Sequence, residues 1–382
     1  MKKKALMTAS VASMIDLFNR NNIQILQEMG YEVHVAANFK EGNITSDERV
    51  REFRKELKQN GVKVIHVPIP RSIFRIKDIL ISYFQLKKLC GKENYALVHT
   101  QSPIGGVVAR MAAASSRETG TRIIYTAHGF HFFQGAPLQN WLLFYPIEKL
   151  LSLCTDALIT INREDYRRAK TFSAKEVRYV PGIGIDTKKI SASRKDCLFI
   201  RKEFGFSEKD FIVISVGQLS KRKNQEVIIR AMAQIKDASI KYLLVGLGEK
   251  EAEYRELIKT LSLQDRVILA GYREDVPELL HMADVFVFPS LQEGLPVALM
   301  EAMAAGIPAV CGKIRGNMDL ITHGIEGVLA EPEDSKAFAE AIVELKKNPD
   351  KAMFYRKNAK KKIRGFSVEV VDGEMREIYG EM

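Results

Sequence analysis

Short apolar runs alternate with longer stretches of helical periodicity along the whole chain, the pattern of parallel sheets built from βαβ units. In the first half the strand-like runs are KALMTA, YEVHVAA, KVIHVPI, ALVHTQ, RIIYTAHG, ALITIN and EVRYVPG. A second series starts near residue 211 with FIVISVG and continues through IKYLLVG, DRVILAG, DVFVFP, IPAVCG and EGVLAEP. These runs are nearly continuous in apolar residues rather than alternating, as expected where both faces of a sheet are covered. Between them lie helical patterns such as LFNRNNIQILQEMG, where Ile23, Leu26 and Met29 recur at helical spacing and Gly30 supplies a stop.

The two series meet around VPGIGIDTKKISASRKD, where Pro181, Gly182 and Gly184 suit a turn-rich connection. The pattern predicts an α/β protein of two Rossmann-like, doubly wound domains of similar size facing each other across a cleft. Ligands of open α/β sheets bind beyond the carboxyl ends of the strands, so the loops after the strands are where chemistry is expected. The basic tract RKNAKKKIRG reads as a solvated helix face ahead of a final helix in SVEVVDGEMREIYGEM.

A length of 382 residues agrees with two domains, and 46% hydrophobic with 27% charged residues describes a globular chain rather than a disordered one. An excess of 58 Lys and Arg over 47 Asp and Glu gives a net charge of +11, which attracts polyanions or anionic lipid without deciding between them. The four cysteines, Cys90, Cys154, Cys197 and Cys311, show neither CxxC nor metal-ligand spacing, which fits a reducing compartment. The start, MKKKALMTASVASM, resembles a signal peptide superficially, but Thr8, Ser10, Ser13 and Asp16 interrupt it, so a first strand is expected. No uninterrupted apolar run approaches the roughly 20 residues that span a bilayer.

Three stretches carry candidate chemistry. EGLPVALMEAMAAGIPAV, residues 293–310, follows the strand DVFVFP. Pro296 stands where a first helical residue is favoured, Gly306 closes the helix and Pro308 prevents its continuation. Glu293 then lies in the loop and Glu301 more than a turn into the helix. Free amides in the segment from Leu295 through Pro296 and Val297 to Ala298 form an anion site, supplemented by the helix dipole. With a carboxylate on either side, the arrangement suits a ligand that carries polyhydroxyl units on both sides of a phosphate. SVGQLSKRKNQEVIIRA, residues 215–231, places a strand end at Gly217, a basic loop with Lys223, and a helix from near Asn224. IIYTAHGFHFF, residues 123–133, puts His128 just beyond a strand end.

The two glutamates with seven residues between them resemble the motif of retaining glycosyltransferases of family 4, which have the two-domain GT-B fold. With its companions the match extends over nearly the whole chain and is most similar to the bacterial capsule and exopolysaccharide branch. The resemblance implies that Glu293 holds donor-sugar hydroxyls and Glu301 the ribose. It assigns Lys223 to the diphosphate, whose charge it neutralises on departure, and His128 to the donor sugar as a support for developing charge. His131 is a weaker candidate. The commonest family pattern has arginine after the glycine, where this chain has Gln218, so Lys223 carries more of the charge with Arg222 or Lys221. For at least one of Lys221 and Arg222 a solvated charge run is the expected reading. Backbone groups near Tyr272 and Arg273 in LAGYREDV, with the glycine turn VGLGE, are expected to read a uracil edge. No DxD motif is present, in keeping with metal-independent catalysis and no cofactor beyond a UDP-sugar donor.

The same resemblance gives the domains: 1–183 for the acceptor, 184–364 for the nucleotide sugar, and 365–382 as a helix packing back on the first domain. It implies transfer of a hexose or N-acetylhexosamine to a polyprenyl-diphosphate-linked saccharide. Two stretches mix basic and apolar residues as peripheral membrane segments do, RSIFRIKDILISYFQLKKLC and PLQNWLLFYPIEKLL, the latter with the one tryptophan, Trp141. The expected location is cytoplasmic, at the inner face of the cell membrane. SVASMIDLFN lacks the glycine-rich turn of many family members, which leaves acceptor contacts open. Competing readings are a nucleotide-sugar epimerase or hydrolase on the same fold and a catalytically idle partner subunit. A nucleic-acid-binding module has only the net charge in its favour, and no docking motif supports it.

Overall fold

The computed structural model describes residues 2–192 and 197–382; positions 193–196 of the connecting stretch lie outside the described residues. The chain divides into two compact units, one made of Met1–Ile183 with Glu369–Met382 and the other of Gly184–Val368. Each run read as a strand in the sequence forms one. In the first unit these are β1 (Lys4–Val11), β2 (Glu32–Asn38), β3 (Lys63–His66), β4 (Leu97–Gln101), β5 (Arg122–Ala127), β6 (Ala157–Thr160) and β7 (Glu176–Tyr179). In the second they are β8 (Phe211–Val216), β9 (Ile240–Val245), β10 (Val267–Gly271), β11 (Val285–Phe288), β12 (Ala309–Gly312) and β13 (Gly327–Ala330).

Both sheets are parallel, in the orders β3-β2-β1-β4-β5-β6-β7 and β10-β9-β8-β11-β12-β13. The strand order reverses between β1 and β4 and again between β8 and β11. At such a switch point the loops leave in opposite directions and open a crevice at the carboxyl ends, which is where a ligand enters a doubly wound sheet.

In the first unit one sheet face is covered by Ile15, Leu26 and Phe53 together with Val371, Met375, Ile378 and Tyr379 of the last helix, Val368–Gly380. The spacing of those four residues sets one helical stripe on the sheet. The other face is sealed by Leu86, Val108 and Ala112 from the helices Ile76–Glu93 and Pro103–Ala113. In the second unit Val227, Ile228 and Met232 of the helix Glu226–Gln234 and Phe338, Ile342 and Leu345 of the helix Ser335–Lys347 complete the core.

Three local features differ from the sequence reading. The helix expected through LFNRNNIQILQEMG breaks at Asn19 into Ala12–Phe18 and Arg20–Glu28. Asn19 leaves helical geometry (φ −135°, ψ 8°) and caps both segments: its N–H donates to the Ile15 carbonyl at 2.9 Å and its carbonyl accepts from the Ile23 N–H at 3.0 Å. Pro296 is the cap before the helix Val297–Ala305 rather than its first residue. The helix after the basic loop starts at Glu226, because Asn224 is left-handed (φ 57°) with its side-chain amide donating to the carbonyls of Pro289 and Pro332.

All four cysteines are free thiols. Among the described residues no helix is long and apolar enough to cross a membrane. The helices Ile76–Glu93 and Leu138–Leu151 nevertheless turn apolar side chains outward, among them Ile76, Leu80, Phe84, Leu142 and Leu150, and Phe74 before the first of them is 87% exposed.

Candidate functional site

At the β8/β11 switch point the basic loop after β8 and the EGLP loop after β11 are tied together. The Leu291 N–H donates to the Arg222 carbonyl at 2.9 Å and Arg222 Nη1 donates to the Gln292 carbonyl at 2.9 Å. This brings Lys223 and Glu293 into an ion pair, Nζ to Oε1 at 2.8 Å, and Arg222 Nη1 reaches the same oxygen at 2.9 Å. Lys223 also stands over the Phe288 ring, 4.6 Å from its centroid. Its side chain is 14% exposed and that of Glu293 10%, so the pair is largely withdrawn from water. Burial lowers the proton affinity of the Lys223 ammonium, and the Glu293 carboxylate acts against that shift. Both cations bond Oε1, so Oε2 has no partner among the described residues.

The helix Val297–Ala305 starts beside this pair without a side-chain cap. Among the described residues the N–H groups of Val297 and Ala298 meet no protein acceptor, as the first turn of a helix requires unless something else supplies one. Gly316 holds the loop from behind: with φ +78°, a Cβ there would lie 2.4 Å from the Gly294 carbonyl oxygen. Leu295 and Pro296 are buried, Gly306 ends the helix in the left-handed conformation, and Glu301 sits one turn in. Burial pushes the Glu301 carboxyl up to about 7. It has no hydrogen-bond partner among the described residues, so nothing there offsets the cost of burying its charged form.

The remaining donor-side candidates are not all gathered here. Gln218 is exposed, and its carbonyl accepts from Gln225 Nε2 at 2.9 Å. Lys221 is exposed as well, as a solvated charge run predicts. The glycines of VGLGE serve loop packing, since a Cβ on Gly246 would meet the Gly217 carbonyl oxygen at 2.0 Å and one on Gly248 the Leu219 carbonyl oxygen at 2.1 Å. Tyr272 is exposed at the end of β10. The Arg273 guanidinium is held by Asp275, at 2.8 Å from Nε, and by Glu203, so the side chain is engaged within the chain.

His128 belongs to the first unit and follows β5. Its Nε2 lies 2.5 Å from Gln101 Oε1, and its ring packs at 5.6 Å from that of Phe18. Burial draws its pKa down to about 4, so the imidazole is neutral at pH 7. His131 stacks on Phe144 at 4.7 Å. Gln101 and Asn19, both buried, were not singled out in the sequence; the polar run Thr100, Gln101 and Ser102 at the end of an apolar strand is a signal for Gln101, and Asn19 has none. Among the described residues no group of three His, Cys, Asp or Glu side chains is placed to hold a metal ion.

Two family models match: "Glycosyl transferase 4-like domain" over residues 18–182 and "Glycosyl transferases group 1" over residues 198–362. EpsD of Bacillus subtilis (strain 168) is 37% identical over 384 residues, covering 99% of this chain and 97% of that protein. The UDP-Gal:alpha-D-GlcNAc-diphosphoundecaprenol alpha-1,3-galactosyltransferase of Escherichia coli is 31% identical over 339 residues, 85% of each chain. In fold the chain is similar to Anabaena Alr3699/HepE, solved in complex with UDP, with a TM-score of 0.78 at 21% identity over 99% of this chain and 100% of that one.

Proposed function

The chain belongs to glycosyltransferase family 4, in its bacterial capsule and exopolysaccharide branch, and from that premise we propose that it moves a hexose or N-acetylhexosamine from a UDP-sugar to a polyprenyl-diphosphate-linked saccharide, with retention of configuration and without a metal ion. The observation that carries this reading is the Lys223–Glu293 pair beside the open N–H groups of Val297 and Ala298. The UDP bound to the Anabaena protein and the donor and acceptor in the name of the Escherichia coli relative support it.

In this reading the N–H groups and Lys223 take the donor diphosphate, and a fixed cation there stabilises the charge that develops as UDP leaves. Glu293 Oε2 accepts from a sugar hydroxyl while Oε1 keeps Lys223 in place. Glu301 accepts from the ribose hydroxyls, and the backbone at Tyr272 and Arg273 reads the base. Neutral His128 meets the donor sugar as a hydrogen-bonding group. The acceptor hydroxyl attacks on the face from which UDP departs, and the leaving phosphate oxygen takes its proton, so no protein nucleophile is used. The test is UDP release across a panel of UDP-sugars with and without a polyprenyl-diphosphate-linked acceptor, followed by the anomeric configuration of the product. Release that never depends on acceptor, or an inverted product, overturns the reading.

Glu301 gives this reading a pH signature. The folded protein keeps its carboxyl proton up to about 7, whereas an exposed glutamate loses it near 4.5. The Glu301 contribution to stability is therefore fully present below about 4.5 and lost as pH rises to about 7. Binding a ribose through the carboxylate releases that proton, so UDP affinity should rise with pH and level off above about 7. Titration calorimetry in buffers of different ionisation enthalpy should register proton release at pH 6. Glu301→Gln should bind UDP more weakly and without that pH dependence.

The outward apolar rows of Ile76–Glu93 and Leu138–Leu151, with Lys77, Lys87 and Lys88 exposed alongside, support attachment to the inner face of the cell membrane. The protein should co-sediment with vesicles containing anionic phospholipid more than with neutral ones. Phe84→Glu combined with Leu142→Glu should reduce that binding at least several-fold while UDP affinity stays unchanged. Equal binding to both vesicle types removes the membrane from the proposal.

A further inference from the structure

His128 is tied into a chain of side-chain amides at the β1/β4 switch point. Gln101 Oε1 lies 2.5 Å from His128 Nε2 and also accepts from Asn19 Nδ2 at 2.8 Å. In return Gln101 Nε2 donates to Asn19 Oδ1, and Asn22 Nδ2 donates to that same oxygen at 2.9 Å. Two facing amides alone could both be turned over without losing their mutual bonds. What sets their direction is a backbone carbonyl, an acceptor only: Asn19 Nδ2 is 3.4 Å from the Met14 oxygen, which requires nitrogen on that side of Asn19. On the far side of Gln101, Met7 Sδ at 3.8 Å is an acceptor as well and requires Nε2 there.

With both ends pinned, the atom Gln101 offers His128 is an oxygen. An amide oxygen cannot donate, so the proton of a neutral imidazole must sit on Nε2, and Nδ1 is left as the lone pair. Nδ1 has no hydrogen-bond partner among the described residues, and His128 lines a hollow with Phe18, Asn21, Thr126 and Asp372. We propose that Gln101, held by Asn19 and the Met14 carbonyl, is a positioning residue that fixes His128 as the Nε2–H tautomer and presents Nδ1 as a hydrogen-bond acceptor for a hydroxyl of the donor sugar.

This rests on the assignment of His128 to the donor sugar. The break of the helix at Asn19 has its reason here: an unbroken helix would keep that residue in helical geometry, whereas the capping conformation goes with a side chain directed to Gln101. Among the described residues His99 interacts electrostatically with His128, and Asp372 lines the same hollow. His99 is itself engaged at both ring nitrogens, by Tyr379 at 2.7 Å and Thr126 at 2.8 Å. Asp372, on the last helix, accepts from Asn21 Nδ2 at 3.2 Å.

The tautomer can be read without activity. In 15N-labelled protein at pH 7, the His128 signals, assigned by their loss in His128→Gln, should show a protonated Nε2 and an unprotonated Nδ1. Gln101→Leu should let the two forms mix and lower kcat/KM by about 100-fold, with UDP affinity unchanged. Gln101→Glu keeps an acceptor for His128, now with a negative charge, and gives up the Nε2 donor to Asn19 Oδ1. It should hold the tautomer, recover part of kcat/KM, and move the acid limb of the pH profile upward by at least about one unit, because a carboxylate favours imidazolium. A proton on Nδ1 in the unaltered protein, or a Gln101→Leu variant with an unchanged tautomer, overturns the proposal. If the tautomer responds as described while His128→Gln transfers sugar normally, the positioning stands and the role of His128 in transfer falls.

Discussion

Replacing Lys223 with alanine should lower kcat for sugar transfer by about 1000-fold, the loss expected when a fixed group that stabilises a developing anion is removed. The magnitude is large because the ammonium is mostly withdrawn from water, 14% exposed, where each charge acts with less screening. It is also unshared: Gln218 carries no charge, Lys221 is exposed, and Arg222 already spends Nη1 on Glu293 and the Gln292 carbonyl. Glu293→Ala should be comparably damaging through a different split. It removes the acceptor for the sugar hydroxyl and also strands Lys223 over Phe288 without a counter-charge, so the ammonium loses proton affinity further. Lys223→Ala should therefore weaken UDP binding directly, while Glu293→Ala should spare UDP more than it spares the UDP-sugar. Steady-state kinetics with competition by UDP separates the two. Near-normal turnover in both variants would refute the site.

The largest effect on stability should come from Glu148. Arg110 is fully buried, stacked 3.9 Å above Tyr125, with Nη2 bonded to Glu148 Oε2 at 2.7 Å and Nε to the Gly106 carbonyl at 2.9 Å. Tyr125 donates its hydroxyl to the other Glu148 oxygen at 3.1 Å, and among the described residues Arg110 Nη1 meets no acceptor. Glu148→Ala leaves a buried guanidinium without compensation and a buried phenol without an acceptor, which should destabilise the first unit by about 3–5 kcal/mol. Calorimetry should show that unit's transition falling by roughly 10 °C. The double replacement Arg110→Met with Glu148→Leu should recover most of the loss, because it removes both charges from the interior. A Tm for Glu148→Ala within about a degree of the parent would contradict this account.

The frame of the molecule was legible from sequence because its determinants are local. Parallel strands covered on both faces must be apolar end to end, so β8 as FIVISV and β11 as VFVF could be read directly, as could the stop at Gly306. The EGLP loop, Lys223 and His128 were legible for a related reason: each follows a strand end, the place a doubly wound sheet reserves for ligands. The helix break at Asn19 was not legible, because the helical spacing of Ile23, Leu26 and Met29 lies wholly after it and the partner of the Asn19 side chain, Gln101, is 82 positions away. Arg110 was not legible either, since a charged residue in an apolar helix reads as surface until Glu148 and Tyr125 are seen to enclose it.

By itself, then, the sequence determined the two parallel sheets, their boundaries and the residue types at each strand end, since periodicity, turn chemistry and helix stops act over a few residues. Only the tertiary structure decided which of those residues meet. Lys223 and Glu293 are 70 positions apart and are joined by the crossing of two loops at the β8/β11 switch. The raised carboxyl of Glu301, the lowered imidazole of His128 and the direction of the Gln101 amide likewise arise from burial and from partners distant in the chain. Desolvation and hydrogen-bond direction are properties of an enclosed volume, and no short segment of sequence contains one.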